Sequence, residues 1–142
     1  PAPQWFFAEG ATGAFFDLFI LIANPDTTAA AVTATFLFDD GTTCALTVPV
    51  GAQSRYNIWV DTLEIPGCPR SLADVAVSTT ITADRPVIAE RAMWWPGPTP
   101  ATWAEAHNAA GATETGIAWG LAEARVTAPF IGTAIVRPSG IR

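Results

Sequence analysis

Four glutamates of the chain each follow an alanine, and a pair of such carboxylates could serve as general acid and general base in glycoside hydrolysis. They are Glu9, Glu90, Glu105 and Glu123. Their spacing places no two of them at a catalytic separation. We therefore expect these carboxylates to pair with Arg55 or Arg91, or to accept backbone N–H groups at strand ends.

His107 is the only histidine, and Trp103, Glu105 and Asn108 surround it. Nucleophilic catalysis would need a serine or cysteine beside it, and the sequence contains no G-x-S-x-G nucleophile elbow. A lone histidine also makes a poor zinc site. We interpret His107 as a hydrogen-bonded loop residue, and we expect a protein that is not an enzyme and holds no metal or other cofactor.

Three aspartates could supply oxygen ligands for calcium, namely Asp26, Asp39 and Asp40. Calcium loops of the EF-hand type have a D-x-D-x-D-G pattern, which is missing from this sequence. The run Asp39-Asp40-Gly41-Thr42 fits a hairpin turn instead, because Asp-Gly tolerates the positive φ of such turns.

Tryptophans supply the strongest candidates for ligand binding, because exposed indole faces stack on sugar rings. The candidates for glycan stacking are Trp59, Trp94, Trp95 and Trp103. The alternative is that these indoles fill the core or an interface, where large aromatic side chains dominate the energetics. Trp94 and Trp95 are adjacent on a predicted strand, so their side chains must point to opposite faces. We favour an interface over sugar binding.

Composition restricts the remaining function classes. Half of the 142 residues are hydrophobic, 14% are charged and the mean hydropathy is +0.31, which predicts a single domain with part of its surface covered by a partner. The net charge is −6 and no lysine occurs, which argues against nucleic-acid binding. No apolar run reaches the ~18 residues of a membrane helix, so we expect no membrane insertion.

The two cysteines, Cys44 and Cys68, lie in a β-rich sequence without a histidine cluster. We predict a disulfide between them, which would stabilise the fold by about 3 kcal/mol in the chain-entropy model. A disulfide implies an oxidising, extracellular setting. The alternative is a pair of buried free thiols.

Alternating hydrophobicity predicts strands throughout. Apolar and polar residues alternate over 32–38, 44–50, 55–60 and 75–81, and further strands are predicted at 87–95, 117–123 and 130–136. Asp84-Arg85-Pro86 is expected to turn the chain, and 103–107 to form one helical turn. About eight or nine short strands at this spacing predict an all-β protein, an antiparallel β-sandwich or barrel. The run Phe15–Ala23 is apolar on nearly both faces, so it should be central or lie under a neighbouring subunit.

One signature occurs twice. Trp5-Phe6-Phe7-Ala8-Glu9-Gly10 is echoed 114 residues later by Trp119-Gly120-Leu121-Ala122-Glu123-Ala124. We therefore divide the chain into a β-sandwich domain, 1–118, and a C-terminal strand segment, 119–142. That segment is either the start of a second unit or a strand that pairs between subunits.

Several motifs together resemble a poorly characterised family of repeats, each roughly 110 residues long, the size of one small domain. They are Trp5–Gly10, Phe19–Pro25, Ser54-Arg55, Val77–Thr80, Ala89–Trp95 and Trp103–Asn108. Repeats of this kind occur in long secreted bacterial surface proteins, often beside immunoglobulin-like modules. The resemblance implies an extracellular β module, an antiparallel β-sandwich of immunoglobulin-like type, and it carries no activity.

These observations favour a non-enzymatic extracellular surface protein that associates with copies of itself into an array or filament, by strand pairing or strand donation. The alternative is a carbohydrate-binding or adhesion module whose partner is a surface polysaccharide. The residues predicted to form the assembly interface are Trp5, Phe6, Phe7, Phe15, Phe16, Phe19, Trp119, Leu121, Phe130 and Ile131.

Overall fold

The computed structural model describes residues 1–96 and 104–116, and within them the chain is all-β and antiparallel, as predicted. Seven strands and one short 3₁₀ helix, Val60–Thr62, make up the described part. The strands are β1 (Ala2–Phe7), β2 (Asp17–Asn24), β3 (Ala30–Phe38), β4 (Thr43–Val50), β5 (Ser54–Trp59), β6 (Val77–Trp95) and β7 (Glu105–Ala110). The strands predicted at 117–123 and 130–136 lie outside the described residues.

The 19-residue strand β6 organises the sheet. Its first half pairs with β1 and β3, and its second half pairs with β2 and β7. The prediction of a turn at Asp84-Arg85-Pro86 is wrong: these residues lie between the last β3 pairing, at Ala83, and the first β2 pairing, at Ile88. Pro86 has no N–H to give to a ladder, and here the strand changes neighbours without reversing.

The result is a curled half-barrel with a sandwich-like core. One half has the order β4-β3-β6-β1 and the other has β5-β2-β6-β7. A backbone bridge between Phe6 and Ala112 connects β1 to the chain just after β7. Among the described residues, β4 and β5 lie at the two ends of the path β4-β3-β6-β2-β5 and each pairs with one strand, as do β1 and β7 where they flank β6.

Side chains alternate between the two faces of a strand with a period of two residues, and this alternation determines which residues form the core. The alternate residues of β3 that were predicted to face inward, Val32, Ala34, Phe36 and Phe38, are all buried. β2 places Leu18, Ile20 and Ile22 in the same core, with no more than 1% of each exposed. Its other face is half-buried, and β5 and β6 flank it on both sides, which confirms the central position predicted for this apolar run.

A turn and a disulfide hold β4 in its place in the sheet. The turn after β3 places Gly41 at a φ of +83°, and Phe38 exchanges hydrogen bonds with Gly41 and Thr42 there. The disulfide between Cys44 and Cys68, with 5.1 Å between Cα atoms, ties the loop after β5 to β4, as predicted. No described helix is long and apolar enough to cross a membrane.

The helical turn predicted over 103–107 is also wrong for its described part. Glu105–Ala110 is strand β7, which pairs along the second half of β6 from Trp95 to Glu90. The open edge of β6 satisfies the backbone groups of this segment, and that tertiary pairing overrides a weak local preference. Trp103 lies outside the described residues.

Candidate functional site

The core-facing row of β6 changes character as the strand leaves the core. Val87 and Ala89 are fully buried apolar residues, and Arg91 follows them with only 4% of its surface exposed. Met93 and Trp95 continue the row to the end of the half-barrel, where they pair with His107 and Glu105 of β7. We call the polar and aromatic residues gathered there the rim cluster: Glu9, Phe16, Arg91, Trp95, Glu105 and His107.

Arg91 is the buried charge of the rim cluster. Its Nη1 donates to the backbone oxygen of Glu9 at 2.8 Å and to Glu9 Oε1 at 3.0 Å. Its Nη2 lies 3.1 Å from His107 Nδ1. Because a guanidinium only donates, His107 Nδ1 is the acceptor in this contact. Arg91 Nε is buried and has no hydrogen-bond partner among the described residues.

The Glu9–Arg91 contact agrees with the prediction that the glutamates pair with arginine. Glu9 keeps 79% of its side chain exposed, whereas the Arg91 side chain keeps 5%, so the pair reaches from the core to solvent. His107 is hydrogen-bonded as predicted, but it belongs to a strand and not to a loop. No sequence pattern indicated that Glu9 and His107 would meet at Arg91, since 82 and 16 residues separate them from it.

The outer half of the rim cluster is aromatic. Trp95 Nε1 donates to Glu105 Oε2 at 2.6 Å. The Phe16 ring meets the Trp95 ring edge-on at 6.0 Å, and Phe15 extends this row with 54% of its surface exposed. An aromatic surface beside the Glu105 carboxylate therefore lies at the C-terminal end of β6.

Two other tryptophans lie on the opposite face of the sheet. Trp59 stacks on Phe19 with 5.4 Å between ring centroids, and its Nε1 donates to Asp17 Oδ1 at 3.0 Å. Trp94 is paired with Asp17 in the sheet register, and it alternates with Trp95 as adjacent strand residues must. Glycan stacking by Trp59, Trp94 and Trp95 stays a prediction.

The residues predicted for an assembly interface have different positions. Trp5 and Phe7 are core residues, and Trp5 Nε1 donates to the backbone oxygens of Val87 at 3.0 Å and Ala2 at 3.2 Å. They can contribute to assembly only if β1 moves with them. Phe6, Phe16 and Phe19 are half-buried and Phe15 is exposed. Trp119, Leu121, Phe130 and Ile131 lie outside the described residues.

Two polar side chains hold the loops in place, and sequence reasoning did not assign these roles. Asp61 accepts from the backbone N–H groups of Gly13 at 3.1 Å and Leu18 at 2.8 Å, and burial raises its pKa. Asn24, with 1% of its surface exposed, shares its two amide N–H groups among three backbone oxygens and accepts from Asp26 N. The Asn-Pro pair after an apolar strand is the one sequence signal that marked Asn24.

The acidic residues considered for calcium do not meet. Asp39 and Asp40 pair with Arg70, and Asp26 receives the Thr28 N–H. Hydrogen bonds from Thr42 hold the pKa of Asp40 below its ordinary value. The assignment of this run to a turn is confirmed.

The edge strand β4 presents a row of outward backbone groups. Phe38 N donates to Thr42 O, which fixes the alternation of the β3–β4 ladder. The N–H and C=O groups of Thr43, Ala45 and Thr47 therefore point outward. Pro49 falls in the same outward series, where its missing N–H removes no ladder bond.

Comparison with known proteins shows the fold only. No protein-family model and no curated protein matches the chain. The crystal structure of Thermotoga maritima 1070 is similar, with a TM-score of 0.64 and 22% identity over 80% of this chain and 95% of that one. The Anabaena sensory rhodopsin transducer is similar with a TM-score of 0.55 and 18% identity over 63% of this chain and 86% of that one.

Proposed function

We propose that the protein is a non-enzymatic extracellular structural module that associates with copies of itself through its strand edges. The observation that carries the proposal is the β4 edge. Thr43, Ala45 and Thr47 each point an N–H and a C=O group away from β3, and no other described strand pairs with β4. An edge of this kind is a template for pairing with another chain.

The composition of β4 supports this function. Proteins that must stay monomeric protect such edges with charged side chains, above all lysine. The β4 sequence Thr43–Val50 contains no charged residue, and its outward side chains are threonine, alanine and proline. Pro49, which has no N–H to donate, blocks pairing only at the C-terminal end of β4.

The disulfide supports an extracellular setting. Cys44–Cys68 is intact in the fold, and disulfides persist in oxidising compartments. It also anchors β4 to the loop after β5, so the exposed strand is held rigid. A rigid edge loses less conformational entropy on pairing than a mobile one.

Analytical ultracentrifugation across a range of concentrations tests the proposal. The wild type is expected to form concentration-dependent oligomers, and Ala45→Lys should weaken them by placing a charge on the β4 edge. The matched control is Thr82→Lys, which adds the same charge on an exposed position of the interior strand β6. A wild type that stays monomeric at every concentration would overturn the proposal.

Carbohydrate binding at the rim cluster is the second candidate, favoured by the row of Phe15, Phe16 and Trp95 beside Glu105. Sugar sites combine an aromatic platform with a few polar groups, and the mouths of β-barrels commonly host ligands. Titration with bacterial surface polysaccharide should quench tryptophan fluorescence. Trp95→Ala should abolish binding and Trp59→Ala should retain it; equal loss in both variants would argue against this site.

A further inference from the structure

The position of β1 explains why the Trp-x-x-Ala-Glu signature has its spacing. Alternate residues of the signature face inward: Trp5 and Phe7 enter the core, and Glu9 reaches Arg91. The Trp5 indole donates to the Val87 carbonyl, and the Phe7 ring lies against Gly111, where an added Cβ would approach it to 2.8 Å. We call this set of contacts the β1 slot.

The second copy of the signature matches the requirements of the β1 slot. Trp119, Leu121 and Glu123 follow the same spacing as Trp5, Phe7 and Glu9: an indole, an apolar side chain and a carboxylate at alternate positions. In an extended conformation all three point to one face. The match ends there, because Ala124 stands where β1 is followed by Gly10, and a Cβ at Gly10 would lie 2.7 Å from Leu18 Cδ2.

From this match we infer that the β1 slot accepts residues 119–123 of a second copy of the chain, which displace the resident β1. The inference rests on the proposed self-association and names one of its contacts. Exchange of equivalent elements is a low-cost route to assembly, because the incoming strand restores interactions of the same kind as those of the strand it displaces.

The surroundings of β1 favour exchange. Beyond its pairing with β6, β1 meets only the bridge at Phe6–Ala112 among the described strands, so it leaves an edge and not the middle of a sheet. Residues 113–116 are exposed and lie outside the described strands. The six residues 113–118 span up to about 20 Å when extended, which gives the second signature reach toward a neighbour.

Such donation is directional. One copy supplies 119–123 and the next supplies its slot, so the contact is head-to-tail and repeats along a filament. Because of the clash expected at Ala124, the donated strand should bind in the β1 slot more weakly than the resident β1. Exchange should therefore rise with protein concentration.

Mixing two variants that each carry one added cysteine beside the native Cys44–Cys68 disulfide tests this contact. Phe6 bonds to Ala112 through both backbone groups, so Phe6 and Thr80 form a non-hydrogen-bonded pair across the β1–β6 ladder. Such pairs hold Cα atoms about 4.5 Å apart, within disulfide range. Gly120 takes the place of Phe6 in the second signature, so Gly120→Cys in one copy should cross-link to Thr80→Cys in another under mild oxidation. Gly120→Cys mixed with Thr47→Cys, on the β4 edge, is the matched control.

Cross-linked dimers that map to positions 120 and 80, several-fold more abundant than with the control, are the expected result. Oligomers that cross-link equally well to position 47 would overturn the slot assignment and leave the proposed self-association standing. Monomers at every concentration would overturn both. A cross-link within one chain, seen in a variant carrying Gly120→Cys and Thr80→Cys together at high dilution, would show that the segment fills its own slot and would also overturn the inference.

Removing the Glu123 carboxylate, the proposed partner of Arg91, measures the strength of this contact independently. Glu123→Ala should weaken association by about tenfold or more, because a charge-assisted hydrogen bond to buried Arg91 disappears. Glu114→Ala removes an exposed glutamate nearby and is the control, expected to leave the dissociation constant unchanged. Equal dissociation constants for both variants would contradict the role of Glu123.

Discussion

Asn24 should be the most sensitive polar position in the fold. Its two amide N–H groups serve three backbone oxygens, those of Thr28 at 2.8 Å, Val50 at 3.2 Å and Gly51 at 2.9 Å, so one N–H is shared between two acceptors; its oxygen accepts from Asp26 N at 3.0 Å. One side chain thereby ties the end of β2 to the loops on both sides of it. Replacing it by alanine removes all four bonds at once.

The free-energy cost of removing the Asn24 side chain depends on how deeply each of its hydrogen bonds is buried. The bond to Val50 O is buried and contributes about 1–1.5 kcal/mol; the carbonyl itself keeps a partner, because Ala30 and Val50 form a hydrogen-bonded pair of the β3–β4 ladder. The other three bonds are partly buried, and each contributes about 0.5 kcal/mol once water can replace the side chain. We expect Asn24→Ala to lower the free energy of unfolding by about 3 kcal/mol, which is about 10 °C in Tm for a chain of this size.

Urea unfolding followed by tryptophan fluorescence, with the disulfide intact, measures this cost. Asn24→Asp keeps the shape but places a carboxylate against three carbonyl oxygens, so it should destabilise the fold at least as much at pH 7. Asn57→Ala, at an exposed position of β5, is the control and should stay within about 0.5 kcal/mol of the wild type. If Asn24→Ala and Asn24→Asp both fell within about 1 kcal/mol of the wild type, the reasoning from buried hydrogen bonds would be refuted.

Three further predictions concern stability. Reduction of Cys44–Cys68 should lower the Tm, because a loop of 24 residues loses a cross-link worth about 3 kcal/mol; an unchanged melting curve in dithiothreitol would contradict this. Gly111→Ala should also lower the Tm, since its Cβ would approach the Phe7 ring to 2.8 Å, and a wild-type Tm would show that the ring moves freely. Burial raises the pKa of Asp61 above its ordinary 3.8, so its contribution to stability is present below that pH and is lost as pH rises through the raised pKa. The stability of the wild type relative to Asp61→Asn should therefore fall as pH rises above 3.8, and a relative stability that rose would reverse the assigned sign.

Local patterns in the sequence were enough for much of the fold. The alternation of Val32, Ala34, Phe36 and Phe38 predicted which side of β3 is buried, because side chains on a strand alternate whatever its neighbours are. Asp39-Asp40-Gly41 predicted its turn, because only a few residue types tolerate a positive φ. The disulfide could be predicted from the sequence alone, because a chain with only two cysteines allows only one intramolecular pairing.

The course of β6 could not be predicted in the same way. Asp84-Arg85-Pro86 has the composition of a turn, and a turn would have produced two shorter strands. The strand continues because β3 and β1 lie beside its first half and β2 and β7 lie beside its second half. Whether a proline reverses a chain depends on which backbone partners are available on each side of it, and those partners are distant in sequence.

The sequence by itself determined the all-β class, the alternation of buried residues and the repeated Trp-x-x-Ala-Glu signature, because these depend on residue type and on the period of a strand. Only the tertiary structure decided what the signature contacts. The Arg91 guanidinium finds hydrogen-bond partners at the edge of the core because Glu9 and His107 reach it from distant parts of the chain. Trp5 is buried because the Val87 carbonyl accepts its indole N–H. A buried polar group must find its partner in space, and sequence spacing does not fix distances between residues that are far apart along the chain.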